Sequence, residues 1–312
     1  MKKDSRIFVA GHNGLVGEAI KRTLIKNGYN NLILKDREDL DLTDQRAVQE
    51  FFEREKPEYV FLAAAKVGGI VANNSYPYDF IYENLMIESN VINYSHQNSV
   101  KKLLFLGSTC VYPKYSPQPM KEEHLLTSEL EETNKPYAIA KIAGLEMCDS
   151  LYRQFGDNFI SLMPTNLYGL NDNFDLETSH VLPAIMEKVH LAKKLNQDSV
   201  TLWGDGSPIR EFLFVDDLAE ACLFVMEEVD RNQVVSFMNV GSKFSISIKE
   251  LAEMVKGIFN YKGDIIFDTS KPNGTPIKTT DYSVLKSLGW EAKTDLYSGI
   301  SKIYEVRYKE NR

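Results

Sequence analysis

Arg6-Ile7-Phe8-Val9-Ala10-Gly11-His12-Asn13-Gly14-Leu15-Val16-Gly17 is the stretch whose reading decides the fold. A short apolar run meets a glycine and a helical pattern follows, so the stretch reads as a buried strand, a turn and a helix. In that setting each glycine meets a physical need. Gly11 permits the tight turn, Gly14 lets a pyrophosphate approach the backbone, and Gly17 lets helix and strand pack closely. The helix N-terminus then offers free N–H groups and a positive dipole end to phosphates. The spacing is Gly-x-x-Gly-x-x-Gly rather than the commoner Gly-x-Gly-x-x-Gly, so the strand-turn-helix context carries the reading.

Working outward, short apolar or β-branched runs alternate with longer helical patterns, the signature of βαβ units. Strands are expected at about 6–10, 31–35, 59–63, 102–107 and 159–163, and helices at about 15–27, 44–56, 80–98 and 137–155. Asp44 suits a helix opening, and Gly28 and Gly156 suit helix ends. After Pro164 the rhythm breaks. Residues 165–208 are rich in Asn, Asp and Gly with one helical stretch at 181–194, which suggests departure into a second lobe. A strand at 211–215 and a helix from Asp217 are expected to return to the main domain, with another strand at 238–240 and helices near 248–259 and 296–308. The expected fold is therefore α/β: a Rossmann-type doubly wound parallel sheet formed by 1–164 and about 211–240, with a smaller mixed C-terminal substrate lobe formed by 165–210 and 241–312.

The 312 residues, 43% of them hydrophobic, can bury a substantial core. A formal charge of −8 argues against a nucleic-acid or acidic-membrane binder, since either needs a basic face. The apolar run of 7–10 is too short for a secretion signal and no stretch approaches a membrane span, so a cytoplasmic protein is expected. Cys110, Cys148 and Cys222 are odd in number and irregular in spacing, suggesting neither a disulfide framework nor a zinc site.

The second chemical signal is Tyr137-Ala138-Ile139-Ala140-Lys141. A tyrosine and a lysine four apart on a helix share a face, so the cation is expected to favour the ionised phenol and make Tyr137 a usable acid or base. Tyr282 and Lys286 have the same spacing without the context. Upstream, 103–107 reads as a buried strand that delivers Ser108-Thr109-Cys110 to the crevice beyond its C-terminal end. Beyond the second strand, Asp36 and Arg37 pull in opposite directions: an acid accepts from a ribose 2′-OH and favours NAD, whereas an arginine pairs with the 2′-phosphate of NADP. Asp41 and Leu42 follow where an adenine edge could lie.

With the glycine turn, Ser108, Tyr137 and Lys141 in this order, the chain resembles the extended short-chain dehydrogenase/reductases over nearly its whole length. The resemblance implies that Lys141 binds the nicotinamide ribose, Tyr137 moves the proton and Ser108 orients the substrate oxygen. A narrower likeness, to the GDP-L-fucose synthase family, comes from 63–70 with Asn73-Asn74, from 108–113 and 163–169, and from Ser179-His180-Val181, Trp203-Gly204, Arg210-Glu211-Phe212 and 271–276. That family inverts C3 and C5 of GDP-4-keto-6-deoxy-D-mannose and reduces C4 with NADPH, which implies Cys110 as base and His180 as acid, a homodimer, and a GDP-sugar as partner. It further implies a cofactor lined by Gly11, Asn13, Gly14, Leu15, Val16, Gly17, Asp36, Arg37, Asp41, Leu42, Ala64, Leu106, Gly107, Lys141, Pro164, Asn166, Leu167 and His180. Substrate would meet Ser108, Asn166, Lys188, Trp203, Arg210 and Asn273. Asn13 stands where that family has arginine, Asp36 where it has a neutral residue, and Asn273 where it has aspartate. NADP(H) is expected, with NAD(H) open, and so is a C4 reductase acting on another GDP-4-keto sugar, such as a heptose of capsule synthesis.

Overall fold

The computed structural model describes residues 1–234, 236–271 and 273–309, so Pro272 of the 271–276 segment lies outside the described residues. Strands β1 Ile7–Ala10, β2 Leu32–Ile33, β3 Tyr59–Leu62, β4 Lys102–Leu106, β5 Phe159–Pro164, β6 Asn166–Tyr168, β7 Ser199–Trp203, β8 Ile209–Phe214, β9 Phe237–Val240, β10 Ser245–Ser247, β11 Asp264–Asp268 and β12 Ile277–Lys278 follow in chain order. The helices are α1 Leu15–Lys26, α2 Gln45–Glu55, α3 Ile70–Ser75, α4 Pro77–Gln97, α5 Lys135–Phe155, α6 Val181–Lys194, α7 Val215–Glu228, α8 Ile248–Phe259, α9 Ser283–Ser287 and α10 Leu296–Ile303.

Six strands form a parallel sheet in the order β2-β1-β3-β4-β5-β9. Strands buried on both faces read as mostly apolar runs, and β1, β4, β5 and β9 are fully buried, with Lys102, Ser161 and Asn239 as their polar members. Successive side chains go to opposite faces. Ile7 and Val9 accordingly join a core with Leu24 and Met226 from α1 and α7, while Phe8 and Ala10 join another with Phe51, Val91 and Leu145 from α2, α4 and α5. Winding reverses between β1 and β3, and the C-terminal ends of β1, β3, β4 and β5 meet at that crevice, where a doubly wound sheet takes its ligand.

Local signals set the ends of the helices. Asp44 caps α2 by accepting from the Arg46 and Ala47 amides, and Gly156 ends α5 in the left-handed region at φ 80°. The strand expected to return to the main domain, β8, joins a second sheet, paired with β6, β10 and β12. The reason is β6: the chain leaves β5 through Thr165 directly into another strand, which offers β8 a ladder, and β9 takes the sixth place in the main sheet. β8 still bridges the lobes, because Leu213 packs in the α1/α7 core while Phe212 and Phe214 pack in a separate one built on α6, α8 and α10. Among the described residues no helix is long and apolar enough to cross a membrane.

Candidate active site

The glycine turn has the geometry of a phosphate cradle. Gly11 sits at φ +83°, and a Cβ there would lie 2.7 Å from the Ala64 backbone. A Cβ at Gly17 would lie 2.0 Å from the Gly11 carbonyl oxygen, so both positions exclude side chains for reasons internal to the fold. Gly14 differs: a Cβ there would make only an ordinary 3.5 Å contact. The protein itself tolerates a side chain at 14, and the ligand side is where its absence matters. Gly14 is also the N-cap of α1 and supplies no capping side chain, leaving the first-turn N–H groups for an anion. The cradle therefore fits a dinucleotide. Gly17→Ala should cost about 3 kcal/mol of stability through the forced backbone shift, measured by denaturant unfolding.

At the ribose end, Asn13 donates to the Asp36 carboxylate at 2.5 Å and His12 Nε2 lies 3.4 Å from the same oxygen. Arg37 is 72% exposed and reaches Glu83 at 3.4 Å. Asp41 accepts from the Thr43 amide and hydroxyl, which together with its other neighbours holds its carboxyl below the usual range.

The redox centre forms where β4 ends. Ser108 caps a short 3-10 turn by accepting from the Cys110 amide at 3.2 Å. Tyr137, on the first turn of α5, has its phenol close enough to Ser108 for that hydroxyl to lower its pKa. Lys141, one turn on, donates to the Leu106 carbonyl at 3.0 Å, with its ammonium 5.8 Å from the Tyr137 ring centroid. The expected ease of ionising the phenol is not found. Burial, then Cys110, then Glu88 push the Tyr137 pKa above its ordinary value, against the lowering by Ser108. The Lys141 cation is answered by the Glu88 carboxylate at 2.9 Å.

Two further groups close the cleft. The Lys278 ammonium lies 3.7 Å from Cys110 Sγ. His180 is the N-cap of α6, and its loop is fixed by the Gly69 amide donating to the Thr178 carbonyl at 3.2 Å. Although His180 is exposed as a whole, protein crowding around the ring, followed by Lys278, depresses its pKa. Lys278 thus lies against the thiol, and its charge is felt at the imidazole.

The second lobe supplies the outer wall. Arg210 on β8 is half-buried, donates to the Ile209 carbonyl at 2.8 Å, and has its pKa lowered by burial. Beside it, Glu211 accepts from the Ser242 and Thr280 amides, and Asn166 donates to the Glu211 carbonyl at 2.8 Å. Lys188 donates to the Thr201 carbonyl at 3.1 Å, and Trp203 remains 59% exposed at the end of β7. Asn273 accepts from the Asp205 amide at 2.8 Å and so braces the turn after Trp203. The reading from sequence missed Lys278 and Glu88. A lysine flanked by Ile277 and Thr279 carries no motif, and the only trace of Glu88 is an acid at a core-facing position of α4.

The NAD dependent epimerase/dehydratase family model matches residues 7–241, which contain the glycine turn and the Ser108, Tyr137 and Lys141 centre. The chain belongs to this family. It is 56% identical over 311 residues to a putative GDP-L-fucose synthase 2 of Arabidopsis thaliana, covering 100% of this chain and 94% of the relative. It is 51% identical over 306 residues to the GDP-L-fucose synthase of Escherichia coli K12, covering 96% and 95%. Among solved structures, a GDP-mannoheptose C4 reductase from Campylobacter jejuni with NADP bound superposes with a TM-score of 0.92 at 44% identity, covering 98% of each chain.

Proposed function

We propose that this chain reduces the C4 ketone of a GDP-4-keto sugar with NADPH and inverts C3 and C5 beforehand, producing GDP-L-fucose from GDP-4-keto-6-deoxy-D-mannose. The observation that supports the reading is the Lys278 ammonium 3.7 Å from the thiol of Cys110, in the short turn that Ser108 caps. A carbon beside a ketone is acidic enough to lose a proton to an enzyme base, and inversion needs the proton returned from the other face. Cys110, as a thiolate answered by the Lys278 ammonium, takes the proton and becomes a neutral thiol, and His180 returns a proton from the other face. When bound, NADPH supplies the hydride for C4. Tyr137 delivers the proton to the C4 oxygen while Ser108 orients that oxygen and Lys141 holds the ribose. Arg210 and Lys188 meet the diphosphate, Trp203 offers a flat face to base or sugar, and Asn166 lies beside them. The division of labour follows the chain: 1–164 with about 211–240 holds the cofactor, and the remainder holds the nucleotide sugar, with β8 shared between them.

The cofactor preference follows from the ribose end. Asp36 is engaged by Asn13 and His12, which leaves Arg37 to answer a 2′-phosphate and favours NADPH over NADH. Arg37→Ala should weaken NADPH by about 1.5–3 kcal/mol, the worth of a charge-assisted hydrogen bond, and leave NADH little changed. Comparing kcat/KM for both donors checks this, and equal losses for the two would contradict it.

A second reading, C4 reduction alone on a GDP-4-keto-heptose, is supported by the likeness to the heptose reductase. Assaying purified protein with both keto-sugars and both nicotinamides separates the readings. A homodimer is proposed as well: α4 and α5 pack side by side and leave Tyr82, Ile139 and Phe155 exposed, a surface that a copy could cover across a two-fold axis. Light scattering at micromolar concentration should give twice the chain mass.

A further inference from the structure

Glu88 lies in the middle of α4, and none of the chemistry above uses it. Its side chain is 1% exposed and that of Lys141 2%, with Lys141 Nζ 2.9 Å from Glu88 Oε1. Neither carboxylate oxygen meets a hydroxyl or amide donor among the described residues, so the ammonium is its partner. The space around it is tight. A Cβ at Gly144, one turn beyond Lys141, would lie 2.8 Å from Glu88 Oε2 and 2.6 Å from the Phe105 ring. The same ring lies 4.9 Å from the Lys141 ammonium.

Buried ion pairs are poor sources of stability, because desolvation offsets the attraction and well-packed apolar residues often do as well. A pair walled in by Phe105 and a required glycine therefore invites a role in the adjacent chemistry. The ionisable groups that face Glu88 are Lys141, Tyr137 and Cys148, all on α5, while β4 presents the apolar Phe105.

We propose that Glu88 is a positioning residue of the redox centre, which holds the Lys141 ammonium against the Leu106 carbonyl and limits its pull on the Tyr137 phenol. The proposal rests on the reductase reading above. A lone buried cation beside a phenol draws the proton off it, whereas a cation with a counter-ion at 2.9 Å acts as a dipole whose field falls away quickly. Reduction needs the phenol as an acid, so the carboxylate extends the pH range over which the proton is still there to give. Burial raises the pKa of Glu88 and Lys141 lowers it, and Glu88 in turn raises that of Tyr137, in keeping with this arrangement.

The test uses Glu88→Gln, which keeps the shape without the charge, and Glu88→Asp, which keeps the charge but draws it back by one methylene. Two readouts are taken: the pH profile of kcat for reduction, and the phenolate absorbance of the cofactor-free protein titrated against the matching Tyr137→Phe double variants. In Glu88→Gln the alkaline limb of the profile should fall by about one pH unit, the scale of one nearby charge, with a smaller fall in Glu88→Asp. A phenol that titrates early should appear in Glu88→Gln and vanish in Glu88→Gln/Tyr137→Phe. The titration needs no substrate, so an inactive wild-type protein would overturn the reductase reading while the absorbance still decides the role of Glu88. Titrations of Glu88→Gln and wild type that superpose overturn the proposal. Should Glu88→Gln not fold, Glu88→Asp decides, and an unshifted phenolate titration there overturns it.

Discussion

Tyr137→Phe should lower kcat for C4 reduction by roughly 10²–10⁴-fold, the contribution of a positioned general acid, and leave NADPH affinity nearly unchanged. The change removes one oxygen. The ring keeps its edge-on contact with Phe80 at 6.4 Å, so α5 and the cofactor crevice keep their packing. The C4 oxygen loses its proton source, and the whole loss should fall in kcat rather than in binding. Steady-state kinetics with a fluorescence titration of NADPH measures both quantities. Turnover within a few-fold of wild type would remove Tyr137 from the acid role.

The second large effect separates the two halves of the proposed reaction. Cys110→Ser should lower solvent deuterium uptake at C3 and C5 by roughly 10²–10⁴-fold and leave C4 reduction of an already inverted keto-sugar within a few-fold of wild type. A hydroxyl is a far weaker base than a thiolate, and Lys278 at 3.7 Å would have no anion to answer. The reductive groups stand apart from this change. Ser108 keeps its place at the end of β4, Tyr137 keeps its place on the first turn of α5, and Lys141 keeps the Leu106 carbonyl and Glu88. Mass spectrometry of product made in D₂O, next to the rate with the inverted substrate, reads the two halves independently. Equal losses in both would mean that Cys110 shapes the pocket without acting as the base.

What the sequence showed of this fold was mostly what local periodicity can carry. α6 and α8 appear with the bounds expected of them, and α1, α2 and α5 begin or end within two residues of expectation, because caps such as Asp44 and Gly156 act within one turn. β6 and β10 were not legible. They are three residues each, too short for a periodic pattern to stand out, and they exist as strands through their pairing with β8. The same non-local fact moved β8 out of the main sheet. At the site, residues within motifs could be named in advance, whereas Lys278 and Glu88 enter through pairing across the fold. Lys278 arrives beside Cys110 on a two-residue strand set by Arg210, and Glu88 meets Lys141 where α4 crosses α5. The expected effect of Lys141 on Tyr137 failed because spacing on a helix reveals the cation but not the burial of the phenol, which is the largest cause of its raised pKa.

The central claim is that one site both inverts and reduces. It is tested most directly by incubating the unmutated protein with GDP-4-keto-6-deoxy-D-mannose and NADPH in D₂O and locating the label in the product. The expected result is solvent deuterium at C3 and C5 of a C4-reduced GDP-sugar. A C4-reduced product with no deuterium at either carbon would contradict the claim and leave a reductase that takes its sugar already shaped.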